Sequence, residues 1–313
     1  MSRNLFGIGT HGGIIGDIQR ALAGAECDPD NIDEVYGQGT VAAVERLQFN
    51  HGLPQTGEVD DTTWGTLMSR PIPSLFEHSL ELTAAFEGHS YDLAMGDFDG
   101  AWLTWGSIGF TMKFGRVQES VLKCNEDYPE LIQQALGDNS NQVVEIMRGT
   151  PERQKQWADS ISINCRLAAP WRQQFQAMGE FSAVRQIQRQ LAHDEFYVPC
   201  LTTAGTFGLR SELAIALCFD IYVQNGSINS VAQSSIHDQL ADNLAPDQQT
   251  LPRIIANAVA DAANAAFRED VRARKMAIAT GTGVVHGATF NLESWGLGEF
   301  AADTATLTQA SAA

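Results

Sequence analysis

The sequence predicts a mainly α-helical, α+β protein, in which a small three-helix domain precedes a larger helical domain with one small β patch. Apolar residues recur at helical spacing along most of the 313 residues. The stretch 101–112 instead sets tryptophans and other large apolar residues among glycines and threonines, which is typical of strands. Pro71 and Pro73 end the first helical region and stiffen the segment around them. We therefore expect domains at 1–70 and 76–300, a linker at 71–75 and a flexible tail at 301–313.

The first domain is expected to contain three short helices around one core. The residues expected in this core are Leu22, Val44, Leu47 and Leu67. Asp60 or Asp61 can cap the third helix, and Thr40 the second, because a side-chain oxygen there can accept a backbone N–H. Gly37 and Gly57 suit turns that need a positive φ.

The second domain is expected to be helical outside its β patch. Helices are predicted at 75–87, 116–125, 129–137, 151–163, 168–178, 182–193, 210–224 and 251–275. A further strand region is expected near 283–292. The five cysteines are widely spaced and form no C-x-x-C motif, so we expect reduced thiols in apolar helical surroundings.

Charge and composition argue against several functions. The chain has 20 basic and 38 acidic residues and a formal charge of −18, so nucleic acid and anionic membranes are poor partners. Neither a secretory signal nor an apolar run of membrane-spanning length is recognisable, and synthesis in a bacterial cytoplasm is expected. The histidines form no H-E-x-x-H pair, and we expect neither a metal nor an organic cofactor.

The N-terminal residues carry a motif shared with a known family. Its parts are Ile18-Gln19, the turn from Asp33 to Thr40, Leu47-Gln48, Gly52-Leu53, Gly57-Glu58 and the segment from Thr62 to Leu67. Together they resemble the peptidoglycan-binding domain of bacterial and phage wall hydrolases. The resemblance implies a binding surface near the turn, with Tyr36 and Thr40 contacting a stem peptide. The alternative is a small helical bundle that serves packing or dimerisation.

Two carboxylates flank a glycine-rich turn in the second domain. Glu87 ends an apolar helix beside Phe86, where partial desolvation favours the protonated form that a general acid needs. Asp99 opens the turn into the β patch, where a carboxylate can stay ionised and activate water. The aromatic residues that could stack on sugar rings are Tyr91, Trp102 and Trp105.

The same segment resembles the signature of family-46 glycoside hydrolases, the chitosanases of the lysozyme superfamily. That signature is a helix-ending glutamate followed by D-G-x-G-Y-T-x-G-I-I-G-F. The matching positions are Asp99, Gly100, Thr104, Gly106, Ile108, Gly109 and Phe110, and Trp102-Leu103 replaces the Gly-Tyr pair. The resemblance implies a lysozyme-like domain in which Glu87 is the general acid, Asp99 the general base and Thr104 the residue that positions water.

Alternatives remain open for these site residues. Asp97 could be the base instead of Asp99, and Thr104 could be an ordinary strand hydroxyl. Trp102 and Trp105 could belong to the core, as large aromatic residues often do.

Downstream residues extend the resemblance to the same family. The segments from Cys218 to Gly226 and from Arg268 to Gly281 resemble its helix end and its late basic helix. The family braces its acid with a buried Asp–Arg network, which implies Asp220 with Arg272 or Arg274 here. This role for Asp220 is structural.

Together, the two resemblances imply a modular, endo-acting glycosidase that cuts β-1,4 bonds of peptidoglycan with inversion. It would bind glycan strands and stem peptides as a monomer. A holin would release it if it is a bacteriolytic phage endolysin, and a secretion system would deliver it if it is a bacterial toxin. A chitosanase is the alternative enzyme, because residues outside 1–70 include 16 basic and 28 acidic side chains, which suits a cationic polymer. A non-catalytic wall-binding or phage structural protein is the remaining alternative.

Overall fold

The computed structural model describes residues 3–88, 90–97, 100–242, 246–303 and 306–308. Within these ranges the protein is mainly helical with small antiparallel sheets, as the sequence predicts. The chain forms two compact units. The first comprises Met1–Phe86 and Phe196–Ala313, and the second comprises Glu87–Glu195. The domain boundaries drawn from the sequence stay a prediction.

The N-terminal part of the first unit is a small helical module. Its elements are β1 (Asn4–Phe6), α1 (Gly13–Gly24), α2 (Gln38–Asn50), β2 (Val59–Asp60) and α3 (Asp61–Leu67). β1 pairs antiparallel with β2, and the helices enclose a core that contains Ile18, Leu22, Val44, Leu47 and Trp64. The predicted core is therefore confirmed, except that Leu67 packs against it while remaining partly exposed.

The turns of this module confirm some of the local predictions. The Asp60 side chain caps α3 by accepting the Thr63 N–H at 2.7 Å. Gly57 has a φ of +67°, as expected. Gly37 does not: it precedes α2 with a φ of −95°, so the prediction of a positive φ there is wrong. Thr40 lies inside the first turn of α2 and does not occupy the cap position.

The chain then passes through α4 (Leu75–Glu87), the helix that the sequence predicts at these residues, into the second unit. The strands of that unit are β3 (Ala94–Met95), β4 (Thr104–Trp105), β5 (Phe110–Thr111), β6 (Ser162–Ile163) and β7 (Arg166–Leu167). Its helices are α5 (Arg116–Asp127), α6 (Pro129–Leu136), α7 (Ser140–Met147), α8 (Pro151–Ile161), α9 (Trp171–Glu180) and α10 (Ser182–Ala192). β3, β4 and β5 form an antiparallel sheet, so the β patch is confirmed, whereas α7 was not predicted.

The first unit resumes with helices and a hairpin. These elements are α11 (Val198–Phe207), α12 (Glu212–Asn225), α13 (Ser230–Asp242), α14 (Thr250–Asp261), α15 (Arg268–Thr280), β8 (Thr282–Val285) and β9 (Ala288–Asn291). The hairpin confirms the strand region expected near 283–292. The sequence did not predict α11 or α13.

The prediction of one helix over 251–275 is wrong, because the chain turns between α14 and α15. The Asn264 side chain accepts the Ala266 N–H at 3.0 Å, and the Asn264 carbonyl accepts the Phe267 N–H at 2.9 Å. Local hydrogen bonding by an asparagine side chain thus replaces helical bonding at this point. The turn allows α15 to pack back against α14 and α12.

The predicted flexible tail is described in part. Ala302 donates its N–H to the Arg210 carbonyl at 2.8 Å, and Ala301 bridges to Ser211. This part of the tail therefore contacts the start of α12, and the flexibility expected for 301–313 stays a prediction. Residues 304–305 and 309–313 lie outside the described residues.

All five cysteines are free thiols. Four are buried, as expected for cysteines in apolar surroundings. Cys165 is exposed in the turn between β6 and β7, so the expectation of a buried helical position is wrong for this residue. Among the residues described, none of the helices has the length and hydropathy that a bilayer span requires.

Candidate functional site

A buried glutamine braces the turn of the N-terminal module that the sequence links to ligand binding. The Gln19 amide nitrogen donates to the Asp33 carboxylate at 2.9 Å, the Val35 carbonyl at 3.0 Å and the Thr40 hydroxyl at 3.1 Å. Its amide oxygen accepts the N–H groups of Asp33 and Glu34 at 3.1 and 2.9 Å. One side chain on α1 therefore sets the backbone course of the turn.

A second buried glutamine does the same for the loop before α3. The Gln48 amide nitrogen donates to the hydroxyls of Thr56 and Thr63, both at 3.1 Å, and to the Glu58 carbonyl at 2.9 Å. Its oxygen accepts the Thr56 and Gly57 N–H groups. Both glutamines belong to the motif shared with the peptidoglycan-binding family, but the sequence alone indicated no role for them. The signal was a glutamine directly after a core residue in each helix.

The side chains predicted to contact a stem peptide are buried. Tyr36 is 1% exposed and donates its hydroxyl to the Gly57 carbonyl at 2.9 Å. Burial raises the pKa of Tyr36, with a smaller contribution from Glu58. Thr40 is also buried and contacts Gln19, so neither side chain offers a free surface to a ligand. Ile32 and Val35, both about half exposed, are the large apolar residues that this loop presents to solvent.

The helix α4, which ends at the candidate acid Glu87, is anchored along its length. The Glu81 carboxylate accepts the Ile14 N–H at 3.4 Å, near the start of α1. Two residues further, the Thr83 hydroxyl donates to Asp220 on α12 at 3.1 Å. The Arg274 guanidinium lies 5.3 Å from the centre of the Phe86 ring. The residue before Glu87 is therefore held by a buried cation, and Glu87 itself is half-buried.

Asp220 is the centre of a buried charge cluster. Arg274 donates to its carboxylate from Nε at 3.0 Å and from Nη2 at 2.7 Å, and Lys275 donates from Nζ at 2.5 Å. All three side chains are almost fully excluded from solvent. Burial by itself raises the pKa of Asp220, but the two cations outweigh it and hold the pKa at about 2. The carboxylate is thus ionised and paired on both sides.

The structure also distinguishes the two arginines left open by the sequence. Arg272 donates to Asp261 at 2.6 Å and to Asn257 at 2.7 Å, on the partly exposed side of α15. Arg274 instead contacts Asp220. Lys275 is a third member of the cluster that sequence reasoning missed, although its position next to Arg274 in a basic helix was a usable signal.

The loop after β3 contains the candidate bases. Asp97 accepts the N–H groups of Gly100 at 2.8 Å and Trp102 at 3.3 Å, so its carboxylate shapes the turn. Asp99, together with Phe98, lies outside the described residues. The structure therefore gives Asp97 a structural function and leaves the assignment of Asp99 as the base a prediction.

The β patch separates the remaining candidates by exposure. Trp105 is 0% exposed, donates its ring N–H to the Phe175 carbonyl at 3.0 Å and packs edge-on against the Phe175 ring. It belongs to the core, so its ring cannot stack on a sugar while it stays there. Its strand neighbour Thr104 is half-buried, on the opposite face that strand geometry gives it.

Tyr91 and Trp102 also differ in solvent exposure. Tyr91 is buried, and the guanidinium groups of Arg185 and Arg189 lie 5.3 and 5.5 Å from its ring centre. Its ring is therefore occupied by protein contacts. Trp102 keeps part of its surface exposed and has a φ of +70°, a conformation that is costly for a large side chain. It occupies the position where the chitosanase signature has glycine.

Gly179 and Gly96 allow α9 and the β6–β7 hairpin to lie close to the loops on either side of β3. A Cβ on Gly179 would overlap the Tyr91 carbonyl, so α9 could not approach the loop with any other residue there. A Cβ on Gly96 would come within 3.0 Å of the Arg166 backbone in the β6–β7 hairpin. Close backbone approach at both points brings side chains of α9 and of the hairpin next to the loop.

Between these elements lies a solvent-open cavity of about 610 Å³. Its walls include Gly88 and Asp92 from the loop after α4, Arg166 from β7, and Arg172 and Gln176 from α9. The Asp92 carboxylate accepts a hydrogen bond from Ser90. Among the described residues, histidines, cysteines and carboxylates form no cluster that could hold a metal ion.

Comparison with known proteins supports the motifs seen in the sequence. Residues 11–67 match the family model described as "Putative peptidoglycan binding domain". No curated protein matches the chain. The N-terminal resemblance is therefore confirmed by the family model over these 57 residues.

Solved chitosanase structures are similar to the chain in three dimensions. The family-46 chitosanase of Gynuella sunshinyii in complex with chitotetraose is 15% identical, with 66% of this chain and 88% of that chain covered and a TM-score of 0.46. The native chitosanase of Bacillus subtilis is 17% identical, with 64% of this chain and 85% of that chain covered and a TM-score of 0.44. A mutant Bacillus subtilis chitosanase in complex with 6 GlcN covers 73% of this chain and 98% of its own, at 15% identity and a TM-score of 0.47. The chain thus contains a peptidoglycan-binding module at residues 11–67 and is similar to chitosanases, the family that its second motif resembles.

Proposed function

We propose that the protein is a modular peptidoglycan hydrolase, in which the N-terminal module binds the wall polymer and Glu87 and Asp99 cleave β-1,4 bonds of its glycan. The observation that carries this proposal is the peptidoglycan-binding match of residues 11–67 on a chain that also holds a glycosidase motif at a helix-ending glutamate. A wall-binding module raises the local concentration of the polymer at a catalytic domain on the same chain.

The chemistry follows from two carboxyl groups with different protonation. Glu87 donates its proton to the glycosidic oxygen as that oxygen leaves the anomeric carbon. A water molecule attacks this carbon from the opposite face, and Asp99 accepts the proton that the water releases. The configuration at the anomeric carbon is inverted, which requires the two carboxyl groups to be about 6.5–9.5 Å apart. Thr104 orients the water, and no cofactor takes part.

The buried cluster on α12 and α15 has a positioning function in this proposal. Thr83 ties α4 to Asp220, and Arg274 packs on Phe86, the residue before the acid. A displacement of about 1 Å at a catalytic group can lower a rate substantially, so fixing the end of α4 matters for proton transfer.

The proposed layout is a binding module at 1–70, a linker at 71–75 and a lysozyme-like catalytic domain at 76–300. A monomeric phage endolysin with antimicrobial, bacteriolytic activity fits this layout. Release through a holin or delivery by a secretion system would bring it to the wall.

The test compares Glu87→Gln with Glu145→Gln, an exposed glutamate on α7, on purified peptidoglycan and on chitosan. We expect wild type and Glu145→Gln to clear peptidoglycan and Glu87→Gln to be slower by about 100-fold or more while binding is retained. Asp97→Asn and Asp99→Asn separate the two candidate bases. Mass spectrometry of the reducing-end sugar identifies the bond that is cut.

Two results would contradict the proposal. Clearing of chitosan alone would make the protein a chitosanase. Binding to peptidoglycan without any clearing by the wild type would make it a non-catalytic wall-binding or phage structural protein.

A further inference from the structure

The cavity beside the candidate acid carries a cationic wall in a strongly acidic protein. Two of its lining residues, Arg166 and Arg172, are cationic, whereas one, Asp92, is anionic. The whole chain has a formal charge of −18. The loop that opens this cavity starts at Gly88, directly after Glu87. The excess charge of these lining side chains is therefore opposite in sign to the net charge of the chain.

Arg166 is presented to the cavity by a tight hairpin. Asn164 and Cys165 form its two-residue turn, both with positive φ, at 51° and 63°. This is the turn geometry that matches the twist of the paired strands. Alternation along β7 leaves Arg166 exposed and Leu167 buried, so the register of the hairpin determines which residue faces the solvent.

Arg172 is presented by α9 together with Gln176. The two residues are four positions apart and therefore share one face of the helix. Phe175 and Gly179 adjoin this face and make core contacts: the Phe175 carbonyl accepts the Trp105 ring N–H, and Gly179 packs against the Tyr91 carbonyl. These neighbouring contacts set the rotation of α9, and with it the direction of the Arg172 face.

Neither guanidinium is neutralised by a carboxylate of the described residues. In the part of the chain that the structure describes, no carboxylate lies within ion-pair distance of Arg166 or Arg172. Other arginines of the second unit do have a partner: exposed Arg153 pairs with Glu145, and half-buried Arg116 pairs with Glu119. Two guanidinium groups and an amide around one cavity offer N–H donors of the kind that a carboxylate accepts.

We propose that this cavity binds a carboxylate of the polymer next to the scissile bond, with Arg166 and Arg172 as the determinants of an anionic substrate. The proposal rests on the proposed function, since it assigns the cavity to the same glycan site. A polymer of glucosamine carries amines at neutral pH and would be repelled by these side chains. The overall acidity of the chain favoured such a cationic polymer at the sequence level, whereas the local charge of the cavity reverses that preference.

The carboxylate can come from two sources on the wall polymer. In intact peptidoglycan the lactyl group is bound to a peptide, so the free carboxylates belong to the stem peptide. In strands from which the peptide has been removed, the lactyl group itself carries the carboxylate. Both sources present the same chemistry to the arginines, and the two substrates distinguish them.

The experiment measures kcat/KM of the full chain on peptide-free glycan strands and on soluble peptide-bearing strands, each with its carboxylates free or converted to amides. The variants are Arg166→Gln with Arg172→Gln, and the matched control Arg148→Gln, an exposed arginine outside the cavity. We expect the wild type and the control to prefer the free carboxylate by about tenfold or more, and the double variant to lose that preference. The preferred strand type identifies the source. The preference should weaken as the salt concentration rises.

The outcomes separate this inference from the proposed function. Equal cleavage of the free and amidated strands by the wild type, or an unchanged preference in the double variant, would overturn the carboxylate site and leave the hydrolase in place. A higher kcat/KM on chitosan than on the free-carboxylate strands would also overturn it. Absence of cleavage on every strand would contradict the proposed function instead. Far-UV circular dichroism of the double variant shows whether it is folded, and the amidated strands provide its internal reference rate.

Discussion

Replacement of Asp220 by asparagine removes one charge from the centre of a buried cluster while keeping the shape of the side chain. Arg274 and Lys275 would then be left facing a neutral amide, since both donate to this carboxylate at 2.5 to 3.1 Å. Removing one partner of a buried ion pair typically costs 3–5 kcal/mol, because the remaining charge stays desolvated and unpaired. With two cations affected, we expect the free energy of unfolding to fall by about 4 kcal/mol at pH 7.

The same cluster predicts how stability depends on pH. Arg274 and Lys275 outweigh the effect of burial and lower the pKa of Asp220 from an ordinary 3.8 to about 2. A pKa that is lower in the folded state stabilises the protein fully above the unfolded value, and this stabilisation is lost as the pH falls from about 4 towards 2. The difference corresponds to roughly 2.5 kcal/mol. The difference in the free energy of unfolding between wild type and Asp220→Asn should therefore be constant near neutral pH and become smaller below pH 4.

Urea unfolding followed by far-UV circular dichroism, at pH 7 and pH 3, measures both effects. Arg272→Gln is the matched control, because it lies two residues from Arg274 on α15 and forms a partly exposed pair with Asp261. We expect this control to change stability by less than about 1 kcal/mol. The reasoning is refuted if Asp220→Asn stays within about 1 kcal/mol of the wild type, or if Arg272→Gln is as destabilising as Asp220→Asn.

Three further predictions concern single contacts. Trp102 has a φ of +70°, so Trp102→Gly should be more stable than Trp102→Ala by about 1 kcal/mol in thermal unfolding, and equal stability would argue against strain there. Gly179→Ala should cost at least about 2 kcal/mol, because its Cβ would overlap the Tyr91 carbonyl. A Cβ at Gly65 would meet open space, so Gly65→Ala should leave stability unchanged or raise it. Similar losses of stability in Gly179→Ala and Gly65→Ala would contradict this explanation. Gln48→Leu should cost about 3 kcal/mol in urea unfolding, because it leaves buried N–H groups of the loop before α3 without acceptors, and a loss below 1 kcal/mol would count against the bracing function.

Local signals predicted most helices but not their ends. The apolar spacing of 75–87 identified α4 at both limits, because a run of apolar helix-forming residues and a following Gly88 are local features. The break between α14 and α15 escaped prediction, since the alanine-rich stretch before Phe267 favours a helix. Packing of α15 back against α14 and α12 overrides that preference, and this packing is not visible in a window of neighbouring residues.

The candidate site shows the same division between features that local sequence predicts and features that tertiary packing decides. The helix-ending position of Glu87 and the pairing of Asp220 with an arginine of the last helix followed from motifs. The choice of Arg274 over Arg272 depends on which side of α15 meets α12, 54 residues away in sequence. The sequence left Trp105 open between stacking on a sugar and packing in the core, and its burial depends on α9 covering it.

The sequence by itself determined the N-terminal module, the mainly helical class and the position of a glutamate at the end of an apolar helix. These features depend on the order of neighbouring residues, where turn chemistry and helical periodicity act directly. The tertiary structure decided which aromatic rings are buried, which cations pair with Asp220, and that Arg166 and Arg172 face one cavity. Such contacts join residues on different elements, so they depend on how whole helices and hairpins pack.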